Sequence, residues 1–174
     1  VVSQVSCTGF ATTDYMAFPY IGWFIMFLLM FSGGSTGSTT GGIKMARHLI
    51  SLQTLRNTFV RLQHPNAITP IRLNGRMVPD NIVNMTTVFI SLYLLIFVSG
   101  MLILQASGIS VIESAGASAT SMAGIGPGLG ASGNVGNYSH FNPVAKITMM
   151  LLMIIGRLEL FTILAIFTRS FWRN

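Results

Sequence analysis

Acidic side chains are scarce in this chain: four Asp and Glu stand against ten Lys and Arg in 174 residues. Asp14, Asp80, Glu113 and Glu159 are too scattered to form a carboxylate cluster for a metal or a proton relay. The single cysteine, Cys7, excludes an intrachain disulfide framework. No CxxC is present, and His48, His64 and His140 lack metal-ligand spacing, so zinc is excluded too. Charge of either sign is sparse, at 8% of residues where soluble domains carry roughly 25%. No secretory leader is visible, because Val1 opens on a Ser/Thr/Gly-rich stretch without a charged n-region, and the chain is expected to begin in mid-protein.

What is present is hydrophobic: 51% of residues are apolar. The formal charge of +6 is not spread as a nucleic-acid binder would spread it. Lys44, Arg47, Arg56, Arg61, Arg72 and Arg76 fall in one connection, and Arg169 and Arg173 stand at the C-terminal end. That asymmetry is the positive-inside pattern of a membrane protein, with residues 44–80 and the C-terminus on the cytoplasmic side.

The stretch that organises the chain is Gly33-Gly34-Ser35-Thr36-Gly37-Ser38-Thr39-Thr40-Gly41-Gly42, between the apolar run 20–30 and the basic run 45–62. Glycine inside a helix costs ~1 kcal/mol relative to alanine, so five in ten residues break it. Irregular backbone at membrane depth survives only where it is buried in protein or lines a water-filled cavity. The stretch therefore predicts an interrupted membrane helix whose break faces a permeation path.

Elsewhere the patterns are readable in order. Pro19 suits the first turn of a helix running to the glycine break. Leu49, Leu52, Leu55, Phe59 and Leu62 recur at helical spacing on a basic amphipathic helix. His64-Pro65-Asn66 breaks it, and Ile71 to Val78 alternates around Asn74-Gly75, which predicts a β-hairpin. Asp80 is the expected cap of a charge-free span over 82–104. A short small-residue helix over 109–122 follows, then the glycine-rich run 123–130. Asn142-Pro143 predicts the start of a last span over 144–168, anchored by Arg169, Trp172 and Arg173.

With the basic connection inside, residues 109–130 dip into the membrane from outside and return. Thr8-Gly9-Phe10 precedes a Pro-started inward helix, and Ile125-Gly126-Pro127 precedes another. The expected fold is thus an all-α integral membrane protein of membrane–pore-loop–membrane repeats, with re-entrant loops and a broken inner helix. Residues 1–62 are the back half of one repeat, 63–79 a cytoplasmic connection, and 80–174 a complete repeat.

Glycine lets backbone take φ > 0 and turn its carbonyl inward. Carbonyls aimed at one axis can replace the hydration shell of a cation such as potassium. Arg157 lies fourteen residues after Pro143, as Gly33 does after Pro19, which places both about 21 Å along equivalent helices. An arginine at that depth faces the bundle interior or a cavity. Arg157 and the loop 33–42 are therefore expected to meet and form a gate, with structural pairing or snorkelling of Arg157 as the plainer option. Lys44 does not belong to a phosphate-binding P-loop, because Ile43 occupies the lysine position and Met45 follows. An alternative is a secondary transporter of a small anionic solute, using broken-helix N–H groups and Arg157. A third is a membrane anchor for a basic docking module. No reading makes the chain an enzyme or requires a cofactor.

Taken together, Gly33 to Lys44, His64-Pro65-Asn66-Ala67, Gly124 to Gly130, Asn142 to Lys146 and Gly156-Arg157-Leu158-Glu159 resemble the Trk-type bacterial potassium-uptake membrane subunits, within the Trk/Ktr/HKT superfamily. The similarity covers essentially the whole chain. It implies four pore-loop units around one pore in an inner membrane, with two of them represented here. It implies that Cys7, Thr8, Gly9 and Phe10 form the third filter strand, and Gly124, Ile125, Gly126 and Pro127 the fourth. It further implies that Gly33 to Gly42 is the gating loop, with Lys44 beside it and Arg157 as its cationic neighbour. The implied assembly is a homodimer on a cytosolic ring of nucleotide-binding regulatory subunits. Cys7 departs from the threonine expected beside the filter.

Overall fold

The computed structural model describes residues 1–65, 67 and 69–157. Among the described residues, six helices and one small hairpin follow in order: α1 (Val2–Val5), α2 (Tyr20–Met30), α3 (Met45–Gln63), β1 (Arg72–Leu73), β2 (Arg76–Met77), α4 (Asp80–Ala106), α5 (Val111–Ala123) and α6 (Pro143–Arg157). Short 3-10 turns occupy Tyr15–Ala17 and Gly130–Ser132.

Local chemistry accounts for the boundaries. Helix α2 stops at Met30, and the glycine-rich stretch then runs without helix until α3 starts at Met45. In the hairpin, Arg72 pairs with Met77 and Leu73 with Arg76. Asn74 and Gly75 both take positive φ (50° and 78°), as a two-residue type I′ turn requires. Helix α5 is capped by Ser110, whose hydroxyl accepts from the Glu113 N–H, and ends on left-handed Gly124.

Three expected starts shift. Pro79, not Asp80, is the N-cap of α4, and Asp80 is the first helical residue. A carboxylate there still favours the positive end of the helix dipole. Pro19 stands just before α2 as its N-cap rather than inside the first turn. The pore-loop helix spans 111–123 rather than 109–122. Helix α6 does begin at Pro143; the part of the last span beyond Arg157 lies outside the described residues.

Helix α5 is the hub. It contributes to three core clusters: Ala119 and Ala123 with Tyr15, Met30, Ile125 and Leu129; Met122 with Ile43, Phe89, Tyr93 and Leu152; and Ala117 with Leu104, Phe141, Ala145 and Met149. Residues 116–123 of α5 are all buried, and almost all are small. Small residues let helix backbones approach closely where burial from water is not the driving force. At the α4–α6 crossing, a Cβ on Gly100 would lie 2.7 Å from a Leu152 methyl and 3.0 Å from the Ser118 hydroxyl.

The outward faces are apolar. Leu95, Leu102, Met150, Leu151, Ile21 and Phe24 are all more than half exposed. Contiguous apolar surface of this kind marks contact with something other than water. Helix α4, with 27 residues, reaches about 40 Å, enough to cross a hydrocarbon core.

Candidate functional site

The run from Gly124 to Gly130 leaves the C-terminal end of α5 as an irregular strand, with φ of 69° at Gly124, 111° at Gly126 and 72° at Gly130. No other strand pairs with it among the described residues, so no ladder holds its peptide groups. Other groups do so instead. The Gly126 N–H donates to Thr120 Oγ1 at 3.0 Å, and the Gly126 carbonyl accepts from the Tyr138 hydroxyl at 2.8 Å. The Gly128 carbonyl accepts from the Tyr15 hydroxyl, and the Gly128 N–H donates to the Ser132 carbonyl at 2.9 Å. The Ala131 N–H donates to Glu113 Oε1 at 2.9 Å. A helix C-terminus carries partial negative charge, so α5 aims a potential favourable to cations at this strand.

Cys7, Thr8, Gly9 and Phe10 lie beside it. Cys7 and Gly9 have positive φ (53° and 78°), so this segment too is irregular. A Cβ built on Gly9 would overlap the Ile125 carbonyl oxygen and approach Pro127 Cδ to 2.9 Å. The two segments, 116 positions apart in sequence from Gly9 to Ile125, are in backbone contact. Cys7 is partly buried against the cluster containing Tyr15 and Ile125. Thr8 and Phe10 are exposed, and the Thr8 hydroxyl lies 2.7 Å from that of Ser6.

The loop Gly33–Gly42 is a closed excursion. Its ends are tied by Gly33 N–H to Ile43 carbonyl at 2.8 Å and Ile43 N–H to Phe31 carbonyl at 3.1 Å. Inside it, Gly34 N–H donates to Thr40 Oγ1 at 2.9 Å, and the Ser38 hydroxyl to the same oxygen at 3.2 Å. Ser35, Thr36, Gly37 and Thr39 form its exposed part. Lys44 precedes α3, where a cation opposes the helix dipole. Its ammonium turns back and donates to the carbonyls of Ser38 and Thr40 (2.7 Å to Thr40), and the residue is only 9% exposed. The loop also touches the end of α5, since a Cβ on Gly41 would overlap the Ala123 carbonyl. Gly156 makes the same kind of approach to the Met122 carbonyl from α6.

Arg157 is exposed, and with Ser38, Thr39, Thr40, Gly42, Lys44 and Arg47 it lines a cavity of about 320 Å³. The Arg47 guanidinium also lies 3.8 Å above the Phe89 ring. Three cations thus border one open space under the loop, and Glu159 lies outside the described residues. No group of three or more metal-ligating side chains occurs among the described residues.

Sequence reasoning did not single out Tyr15, Thr120 or Tyr138, and it left Glu113 without a role. Glu113 had a signal, the Ser-x-x-Glu spacing of a capping box at Ser110. Tyr15 had none, because its partner is 113 positions away. Burial pushes both phenols up to about 12, which keeps their hydroxyls as donors through neutral pH.

Comparison with known proteins agrees with this arrangement of helices. The family model of TrkH cation transport proteins matches residues 1–173. The Trk system potassium uptake protein TrkH of Escherichia coli K12 is 36% identical over 174 residues, covering all of this chain and 36% of that protein. The Vibrio parahaemolyticus protein of the same name is 38% identical over 177 residues, covering 99% of this chain and 35% of its own length. The crystal structure of the potassium transporter TrkH from Vibrio parahaemolyticus superposes with a TM-score of 0.89 at 35% identity, over 99% of this chain and 36% of that one. The chain therefore spans about a third of the length of the relatives it matches. It has the fold of an α-helical membrane protein, and it belongs to the TrkH family of cation transport proteins.

Proposed function

We propose that this chain supplies two of the strands of a potassium-selective pathway, together with the loop that gates it, within a longer protein of the bacterial inner membrane. The observation that carries the reading is the backbone contact between Gly9 and Ile125, which sets two glycine-bearing segments side by side at the end of a buried helix. In this reading Cys7, Thr8, Gly9 and Phe10 on one strand, and Gly124, Ile125, Gly126 and Pro127 on the other, offer carbonyls in place of the hydration shell. Carbonyls suffice, which fits the scarcity of carboxylates. The relatives are named as potassium uptake proteins, which points to potassium as the transported ion.

Helices α2 and α3 act as one inner helix broken by the loop, and α5 with the strand 124–130 as a re-entrant pore loop. Residues 44–80 and the C-terminus face the cytoplasm. The loop Gly33–Gly42, held by Lys44, narrows the path below the strands, and Arg157 repels cations until the loop moves. The full-length protein works as a homodimer, and its 44–80 face meets a cytosolic ring of nucleotide-binding subunits. No cofactor is needed for permeation.

The test is rubidium-86 uptake by potassium-starved cells without their own uptake systems, expressing the full-length parent protein. Uptake competed by potassium and lost in Gly126→Ser supports the reading; uptake and selectivity untouched by that change would sink it. The cationic cavity at Lys44, Arg47 and Arg157 favours one alternative, a carrier of small anions. Such a carrier needs Arg157 for substrate affinity, whereas a potassium path loses only a barrier in Arg157→Ala.

A further inference from the structure

A strand outside any sheet has nothing in its own backbone to fix which way its carbonyls point. In the run 124–130 the carbonyls divide by contact. Ile125 turns its oxygen toward Gly9 of the neighbouring segment. Gly126 and Gly128 turn theirs toward the hydroxyls of Tyr138 and Tyr15. Both tyrosines come from outside the strand: Tyr138 from the loop before α6, and Tyr15 from the preceding repeat. The flanking N–H groups are also occupied, by Thr120 Oγ1 and by the Ser132 carbonyl. Pro127 has no N–H, so the Gly126–Pro127 peptide is held only through its carbonyl, by Tyr138, while Tyr15 holds the carbonyl of the Gly128–Leu129 peptide.

A buried phenol ordinarily finds some partner, which by itself says nothing about transport. The partners here are particular. They are two glycine carbonyls, two residues apart, in the segment where glycine rotation is least hindered. One of them belongs to a residue with φ of 111° and nothing within 4 Å of its Cβ position.

We propose that Tyr138 and Tyr15 are positioning residues for ion selectivity: their hydroxyls hold the Gly126 and Gly128 carbonyls and thereby fix the orientation of the Gly126–Pro127 and Gly128–Leu129 peptides. This rests on the reading of 124–127 as an ion-binding strand. Tyr15 acts across the boundary between repeats, so it also fixes the spacing of two strands rather than the shape of one. A carbonyl accepts with two lone pairs, so a phenol bond leaves the Gly126 oxygen one for another partner.

The experiment uses the full-length parent protein with Tyr138→Phe, Tyr15→Phe and the double change, with the exposed Tyr20→Phe as control. Rubidium-86 uptake is competed by potassium and by sodium, and the ratio of the two inhibition constants is read. That ratio is independent of how much protein reaches the membrane, so a poorly accumulating variant is still informative. Each single change is expected to lower the potassium preference about five- to tenfold, the double change further, as loss of one or two directing hydrogen bonds implies. Tyr20→Phe keeps the parent ratio. A purely structural role for the tyrosines would lower maximal uptake with the ratio unchanged, and that result overturns the proposal. Gly126→Ala in the same series separates the two layers. If it shifts the ratio while the tyrosine variants do not, only the positioning role falls; if it too leaves the ratio unchanged, the filter reading falls with it.

Discussion

A Cβ placed on Gly9 would overlap the carbonyl oxygen of Ile125, and Gly9 holds φ of 78°. Two independent penalties therefore meet at one residue: a steric one and a left-handed backbone worth about 1–2 kcal/mol to any side chain. The neighbouring strand offers a contrast, because Gly126 has a positive φ but nothing within 4 Å of its Cβ position.

This contrast separates folding from transport. Gly9→Ala is expected to cut both the amount of full-length protein in the membrane and its rubidium uptake. Gly126→Ala, which carries the torsional penalty without the steric one, is expected to lower the amount less than Gly9→Ala does and to reduce uptake and selectivity. Quantitative membrane immunoblots beside uptake assays check both, and equal behaviour of the two variants would contradict the geometry.

The end of α5 is approached by two glycines, Gly41 from the loop and Gly156 from α6, each without room for a methyl group against the Ala123 or Met122 carbonyl. Gly41→Ala and Gly156→Ala are each expected to lower thermal stability by about 1–3 kcal/mol, the usual cost of overpacking. Gly37→Ala, with nothing within 4 Å, is expected to be neutral. Thermal unfolding of detergent-solubilised protein measures all three.

Lys44 holds two loop carbonyls from a position that is only 9% exposed. Lys44→Gln is expected to loosen the loop and lower stability by about 1.5–3 kcal/mol, as for hydrogen bonds made by charged groups. Hydrogen exchange in residues 33–43 should rise in the variant. Protection equal to the parent would show that the loop is held by its own backbone bonds instead.

Removing the cation at the cavity gives a kinetic prediction. Under the proposed gate, Arg157→Ala is expected to raise rubidium flux at equal protein amount, because a positive charge beside a cation path raises its barrier. Flux that is unchanged or lower would remove Arg157 from the gate.

The phenols predict an alkaline limb. Burial raises Tyr15 and Tyr138 from 10 to about 12, so both states are protonated below pH 10 and the contribution to stability is full there. It is lost as pH rises from 10 through about 12, where the unfolded phenols ionise first. The Tyr15→Phe/Tyr138→Phe double variant is expected to start less stable and to lose less across that window, by thermal unfolding against pH.

Much of this fold is legible in local pattern. The glycine break after Met30, the Asn74-Gly75 turn, the uncharged α4 and the Pro143 start of α6 each follow from backbone preferences of the residues present. Gly9, Gly124 and Gly126 stand out for the same reason, since glycine is the residue that positive φ favours. The exact first residue of α4 was less legible, because Pro79 and Asp80 are both acceptable helix starters and sequence alone does not choose between them.

Composition, charge asymmetry and the two glycine-rich stretches determine by themselves that this is a helical membrane chain with irregular backbone in two places, because those features depend on each residue's own solvation and torsional freedom. The tertiary structure decides what the loops touch. Tyr15 meets Gly128 across 113 positions, Gly41 and Gly156 converge on one helix end, and Lys44 turns away from its own helix. Those relationships depend on how α5 is surrounded, and a contact between distant segments leaves no periodicity in either of them.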